Sequence, residues 1–193
     1  MTVLPPHPSP NKMSTDAFLA MIGPRPREER WQLIDGEPFL MMSPPTLVHQ
    51  RIALNLAAAL NNAIETARPD LFALVEVGLI VDAHKAFRPI ADVAVLDAEI
   101  DSVSYATRFH LVAEILSPSN SLEHISRKRA LYADAPDCTH VLIIGQDDVC
   151  LELWSRAENW QGRVFRSAED VITLPEIGFS CRLGDLYKGT PVR

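Results

Sequence analysis

The chain of 193 residues is 47% apolar, 22% charged and 7% aromatic, a balance that excludes a disordered tail, a collagen-like repeat and a mucin-like stalk. At that length one domain buries about 70% of its unfolded surface without disulfides or structural metal, so a single domain is expected over residues 13–193. Eighteen basic against 25 acidic residues give a formal charge of −7, which argues against a broad positive face coating nucleic acid and leaves room for a local basic site.

Residues 1–12 carry Pro5, Pro6, Pro8 and Pro10, a composition that cannot continue a helix and reads as a loose N-terminal arm. Ser14 or Thr15 caps a short helix containing Phe18, Leu19, Met21 and Ile22, which Gly23-Pro24 stops. Trp31 to Ile34, the turn Asp35-Gly36 and Pro38 to Met42 read as a β-hairpin. After Ser43-Pro44-Pro45, Thr46 caps a long helix to about Ala67, with Ile52, Leu56, Ala59, Leu60 and Ala63 at helical spacing.

From Leu71 the pattern turns to β-rich runs, Leu71 to Val81, Ala91 to Leu96 and His110 to Leu116. They are separated by a turn at Asp82 to Lys85 and a polar stretch around Asp101. The third run is almost wholly apolar, as in a central strand covered on both faces. Ser117 to Asn120 breaks it, and Ser121 opens a helix to about Ala133, which Pro136 prevents from continuing. Thr139 to Ile144, Val149 to Trp154 and Trp160 to Phe165 read as further strands, and Leu183 to Tyr187 as a closing turn or short helix. The expected architecture is α/β, a mixed sheet flanked by helices with an N-terminal β-hairpin extension.

Cys138, Cys150 and Cys181 are odd in number, without a CxxC pair, which fits a reducing compartment. No run of 18 apolar residues and no basic-then-apolar leader is present, so a cytoplasmic protein that does not span a membrane is expected.

Glu114 is a carboxylate inside an apolar strand, Leu111 to Leu116, where burying an unpaired charge would cost several kcal/mol. Either it faces solvent, or an Arg pairs with it, or it belongs to a site. Asp92 heads the preceding strand and reads equally as a strand-start residue; pairing of the two strands would bring both carboxylates to one edge. Two close carboxylates repel unless a cation lies between them, and oxygen-only ligation suits Mg²⁺ or Mn²⁺. On the next helix Lys128 borders the apolar stripe, roughly 60° from Ile125. Arg129 lies on the opposite margin, so periodicity does not choose between the two cations, and either reads equally as a surface side chain. Glu76 is a third acidic candidate or an outward strand residue. His49 is a phosphate or metal contact or a structural imidazole.

Taken in order, Leu33-Ile34-Asp35-Gly36-Glu37, Met42-Ser43-Pro44-Pro45 with His49, Asp92 to Leu96, Val112 to Ser119, and Lys128 with Tyr132 form a distributed pattern. With Leu174-Pro175 and Leu183 to Leu186 it spans about residues 31 to 187. In this pattern the chain resembles the Uma-two family of restriction-endonuclease-like proteins, a branch of the PD-(D/E)xK nuclease superfamily. The resemblance implies a restriction-endonuclease-like core in which Asp92 and Glu114 hold a divalent metal and Lys128 supplies the catalytic cation. Glu76, His49 and Tyr132 become auxiliary residues.

Three positions depart from the pattern. Ala91 stands where a proline is expected, Leu116 where many members carry the lysine, and His124 where an acidic residue precedes the helix lysine. The implied activity is Mg²⁺- or Mn²⁺-dependent hydrolysis of phosphodiesters in nucleic acid, DNA first. The alternatives are a nuclease-fold protein that binds nucleic acid or protein without turnover, and a homodimer in contact through exposed hairpin residues such as Phe39 and Met41.

Overall fold

Ser14 and Thr46 begin the first two helices in the computed structural model, which describes residues 12–26, 28–41, 44–81, 86–100, 105–117 and 122–193. Helix α1 spans Thr15–Ile22, with Ala17 N–H donating to Ser14 Oγ at 3.2 Å. Helix α2 spans Leu47–Ala67, with His49 N–H donating to Thr46 Oγ1 at 3.1 Å. In each case a hydroxyl satisfies a backbone donor that has no partner within the helix. Between them β1 (Trp31–Ile34) and β2 (Glu37–Leu40) pair as the expected hairpin. Asp35 and Gly36 turn it with φ of 49° and 80°, the left-handed pair that a two-residue hairpin loop needs.

Strands β3 (Leu71–Gly78), β4 (Ile90–Asp97), β5 (Leu111–Ile115), β6 (His140–Ile144), β7 (Leu151–Ser155) and β8 (Gly162–Phe165) lie side by side in chain order in one sheet. Neighbours are antiparallel except β5 and β6. Those two run parallel because α3 (Leu122–Ala133) carries the chain back across the sheet between them, the connection a parallel pair requires. The α/β class, with a mixed sheet flanked by helices and an extra hairpin, is as the sequence pattern predicts.

Alternation along the strands divides the core in two. Val93, Val95, Leu111, Ala113 and Ile115 pack with Ile52, Leu56, Leu60 and Ile64 of α2. Ala94, Leu96, Val112, Val141 and Ile143 pack on the other face with Ile125 and Tyr132 of α3. The α2 side is closed by a second hairpin, β9 (Val171–Leu174) and β10 (Phe179–Arg182), and by α4 (Leu183–Leu186). That hairpin was not among the expected strands, although Ile172, Leu174, Phe179 and Cys181 carry the alternation of one.

The run predicted to reach Val81 ends as a regular ladder at Gly78; Leu79 makes an isolated bridge to Ala106. The arm to residue 11, Met42 and Ser43, the turn at 82–85, the stretch 101–104, the break at 118–120 and Ser121 lie outside the described residues. Among the described residues no helix is long and apolar enough to cross a membrane.

Strand β3 is an edge, and edges expose backbone groups. Asn61 of α2 covers this one at Ala73, accepting from its N–H at 2.8 Å and donating to its C=O at 3.0 Å. Asn61→Ala removes both bonds at a half-buried position and is expected to destabilise the fold by about 1–3 kcal/mol. A lower urea midpoint at unchanged slope would report it.

Candidate active site

Glu114 lies on the face of β5 that points at α3, since its neighbours Ala113 and Ile115 belong to the α2 side of the core. Lys128 and Tyr132, one helical turn apart on α3, both reach it. Lys128 Nζ stands 2.6 Å from Glu114 Oε1, and Tyr132 Oη donates to the same oxygen at 2.7 Å. The pair is deeply buried, Glu114 being 4% and Lys128 5% exposed. Burial pushes the Glu114 carboxyl above the usual carboxylate range; Lys128 opposes that rise and Asp92 adds to it. Burial, reinforced by Glu114, raises the Tyr132 phenol well above its ordinary value, so Tyr132 is a hydrogen-bond donor. Phe87 and Phe109 pack its ring at centroid distances of 5.3 and 6.0 Å. Lys128 also donates to Ile90 C=O at 3.3 Å. An ammonium has three hydrogens, so one remains beyond these two partners.

Asp92 stands opposite Glu114, one residue beyond the last β4–β5 pair, Val93 with Ala113, and directly opposed residues share a sheet face. Its Oδ2 accepts from Ile115 N–H at 2.7 Å, taking over where the backbone ladder stops. His49, fixed by the Thr46 cap at the start of α2, brings Nε2 to 3.2 Å from the same oxygen. Burial works against a charged His49, but the hydrogen bond to Asp92 and the charges of Asp92 and Glu114 outweigh it and raise its pKa.

The β3–β4 register places Glu76 opposite Asp92, yet the ladder steps from Val75–Val93 to Val77–Ala91 without that pair. Glu76 has φ of 54° there, a left-handed conformation costing a non-glycine residue about 1–2 kcal/mol. Its Oε1 meets Arg30 Nη1 at 3.0 Å. Three carboxylates therefore occupy one row across β3, β4 and β5.

A cavity of about 470 Å³ joins these groups: Glu76, Asp92, Glu114, Lys128 and His49 all line it. Tyr132 is not on its wall and acts on Glu114 from behind. Arg129 turns away, its guanidinium 3.8 Å from the centroid of the Trp154 ring, so Lys128 is the cation that meets Glu114. His124 packs edge-on against Phe39 at 4.5 Å. Phe39 and Met41, expected as exposed hairpin residues, are half-buried and line the cavity instead.

Sequence reasoning missed Arg30, since only the fold brings it to Glu76. It also missed Gln146, a buried amide that accepts from Thr46 Oγ1 at 2.7 Å and ties the start of α2 to the end of β6. A polar residue one glycine beyond the apolar run of β6 was the available signal.

Among the described residues no group of three or more His, Cys, Asp and Glu side chains converges as a ready cation cage. The donor set nonetheless fits a hard cation, because Mg²⁺ commonly takes one or two carboxylates and keeps the rest of its shell as water and phosphate. Lys128 and Tyr132 both engage Glu114 Oε1.

A family model, Uma2, described as "Putative restriction endonuclease", matches residues 15–184. No curated protein matches the chain. Among solved structures the chain is similar to one described as a "putative nuclease belonging to DUF820" from Anabaena variabilis ATCC 29413. The two are 15% identical, with a TM-score of 0.73 over 91% of this chain and 97% of that one. At that identity the likeness concerns the fold.

Proposed function

Because the chain belongs to the Uma2 family of restriction-endonuclease-like proteins, we propose that it is a divalent-metal-dependent endonuclease that hydrolyses phosphodiester bonds in DNA. The observation carrying this reading is the buried Glu114–Lys128 pair, which opens with Asp92 onto a single cavity. In this reading Asp92 and Glu114 hold Mg²⁺ or Mn²⁺. The bound ion supplies a more acidic water and offsets the charge that develops on phosphate.

The chain's own groups do the rest. Tyr132 and Lys128 hold Glu114 as an oriented carboxylate, and the Ile115 N–H and His49 do the same for Asp92. Lys128 gives its third hydrogen to a non-bridging phosphate oxygen, a fixed donor aimed where negative charge grows. Water oxygen bonds to phosphorus, the bond from phosphorus to the leaving sugar oxygen breaks, and the proton lost by water ends on solvent or on that oxygen.

Purified protein is expected to nick supercoiled plasmid with Mg²⁺ or Mn²⁺, to stop on addition of EDTA and to resume with excess Mn²⁺. A second reading, a nuclease-fold module that binds nucleic acid or protein without turnover, draws on the formal charge of −7 and on His124, which stands where the family pattern has an acidic residue. Intact plasmid across Mg²⁺, Mn²⁺, Co²⁺ and Ca²⁺, with DNA binding that chelation leaves unchanged, would favour it.

A further inference from the structure

The cavity lined by Asp92, Glu114 and Lys128 also carries apolar side chains that hydrolysis does not use. They include Ile34, Phe39, Met41, Pro44 and Ile125, with His124 packed against the Phe39 ring. At about 470 Å³ the space is in the range of small-molecule pockets.

The charged end is sunk: Glu114 and Lys128 keep 4% and 5% of their exposure. A phosphodiester meets them only by entering the cavity together with an adjoining nucleoside. A paired nucleotide does this only after leaving its stack, at a cost of a few kcal/mol, whereas an unpaired one is spared that cost. Charge points the same way. Duplex affinity draws on many Lys and Arg contacts to phosphate, and this chain carries a formal −7. Single strands gain affinity from stacking on aromatic side chains, and Phe39 puts such a ring on the wall of the same cavity.

Resting on the nuclease reading, we infer that the cavity takes an unpaired nucleotide, with its phosphate at the Asp92–Glu114–Lys128 end and its base against Phe39, so that single-stranded DNA is the preferred substrate. The test is fluorescence anisotropy of a labelled oligothymidine strand in Ca²⁺, against a blunt duplex containing the same strand. The single strand should bind about tenfold more tightly, the scale of one base–aromatic stack. Phe39→Leu, which keeps apolar bulk but loses the π-face, should remove most of that preference, and Phe39→Trp should retain it. The wild-type comparison of strand and duplex needs no variant and decides the matter even if Phe39→Leu fails to fold.

Duplex binding as tight as single-strand binding would overturn the inference, as would a folded Phe39→Leu variant that binds like the wild type. Cleavage in Mg²⁺ or Mn²⁺ is scored separately. Equal cutting of both DNA forms removes the inference and keeps the nuclease. A retained strand preference without cutting in any metal keeps the pocket and removes the nuclease.

Discussion

Asp92→Asn is expected to lower plasmid nicking by about 10²- to 10³-fold, the scale of losing one fixed electrostatic partner of a transition state, while the protein melts as the wild type does. The substitution is nearly isosteric, and its carbonyl oxygen still accepts from Ile115 N–H, the bond Asp92 makes at 2.7 Å. What disappears is the negative charge, and with it half of the proposed cation site. The Asp92 side chain is only 17% exposed, and a neutral amide costs less to bury there than a carboxylate. Calorimetric titration with Mn²⁺ should show binding to the wild type and little or none to the variant. Mn²⁺ binding and nicking both undiminished in the variant would dismiss Asp92 as a metal ligand.

Breaking the Glu114–Lys128 pair should instead damage stability and activity together. Lys128→Met leaves a buried carboxyl without its cation, with Tyr132 as its remaining hydrogen-bond donor on α3, and Glu114→Gln leaves a buried ammonium without its counter-ion. Each is expected to lose about 3–5 kcal/mol, as when one partner of a buried ion pair is removed. The double variant behaves differently. Gln keeps an oxygen for the Tyr132 hydroxyl, Met keeps the straight apolar stem, and neither brings a charge into the core. Its stability should return to within about 1 kcal/mol of the wild type, because replacing both members of a buried pair is often neutral. It should still cut no DNA. Urea denaturation of the four proteins, with nicking assays alongside, closes the cycle. Losses that simply add in the double variant would mean that the two charges do not stabilise each other.

Local chemistry made much of this architecture legible. The hydroxyl caps at Ser14 and Thr46, the helical spacing through α2, the Asp35-Gly36 turn and the apolar run around Glu114 all appear in the structure where short-range rules place them. Asp92 and Glu114 also stood out in sequence, since a carboxylate in an apolar strand demands a partner. Which cation meets Glu114 did not stand out. Lys128 and Arg129 sit symmetrically about the apolar stripe, and what separates them is the Trp154 ring on β7, which draws Arg129 to itself.

The same limit hid the contact between Arg30 and Glu76, two residues that only the assembled sheet brings together. His124 reads in sequence as a missing acid; in the structure it is part of an aromatic wall, through its contact with Phe39. The β9–β10 hairpin escaped for a different reason. Its alternation is short and interrupted by Pro175 to Gly178, so pairing and burial under α2 decide its conformation.

Asp92, Glu114 and Lys128 come from one continuous stretch through β4, β5 and α3, whereas Ile34, Phe39 and Leu40 of the apolar wall come from β1 and β2, earlier in the chain. The two are separate modules of sequence. With a nucleotide bound as proposed, changing Phe39 and Met41 while keeping the buried Leu33 and Ile34 alters what meets the base and spares Asp92, Glu114 and Lys128, which makes that rim of the hairpin the natural place to graft new selectivity.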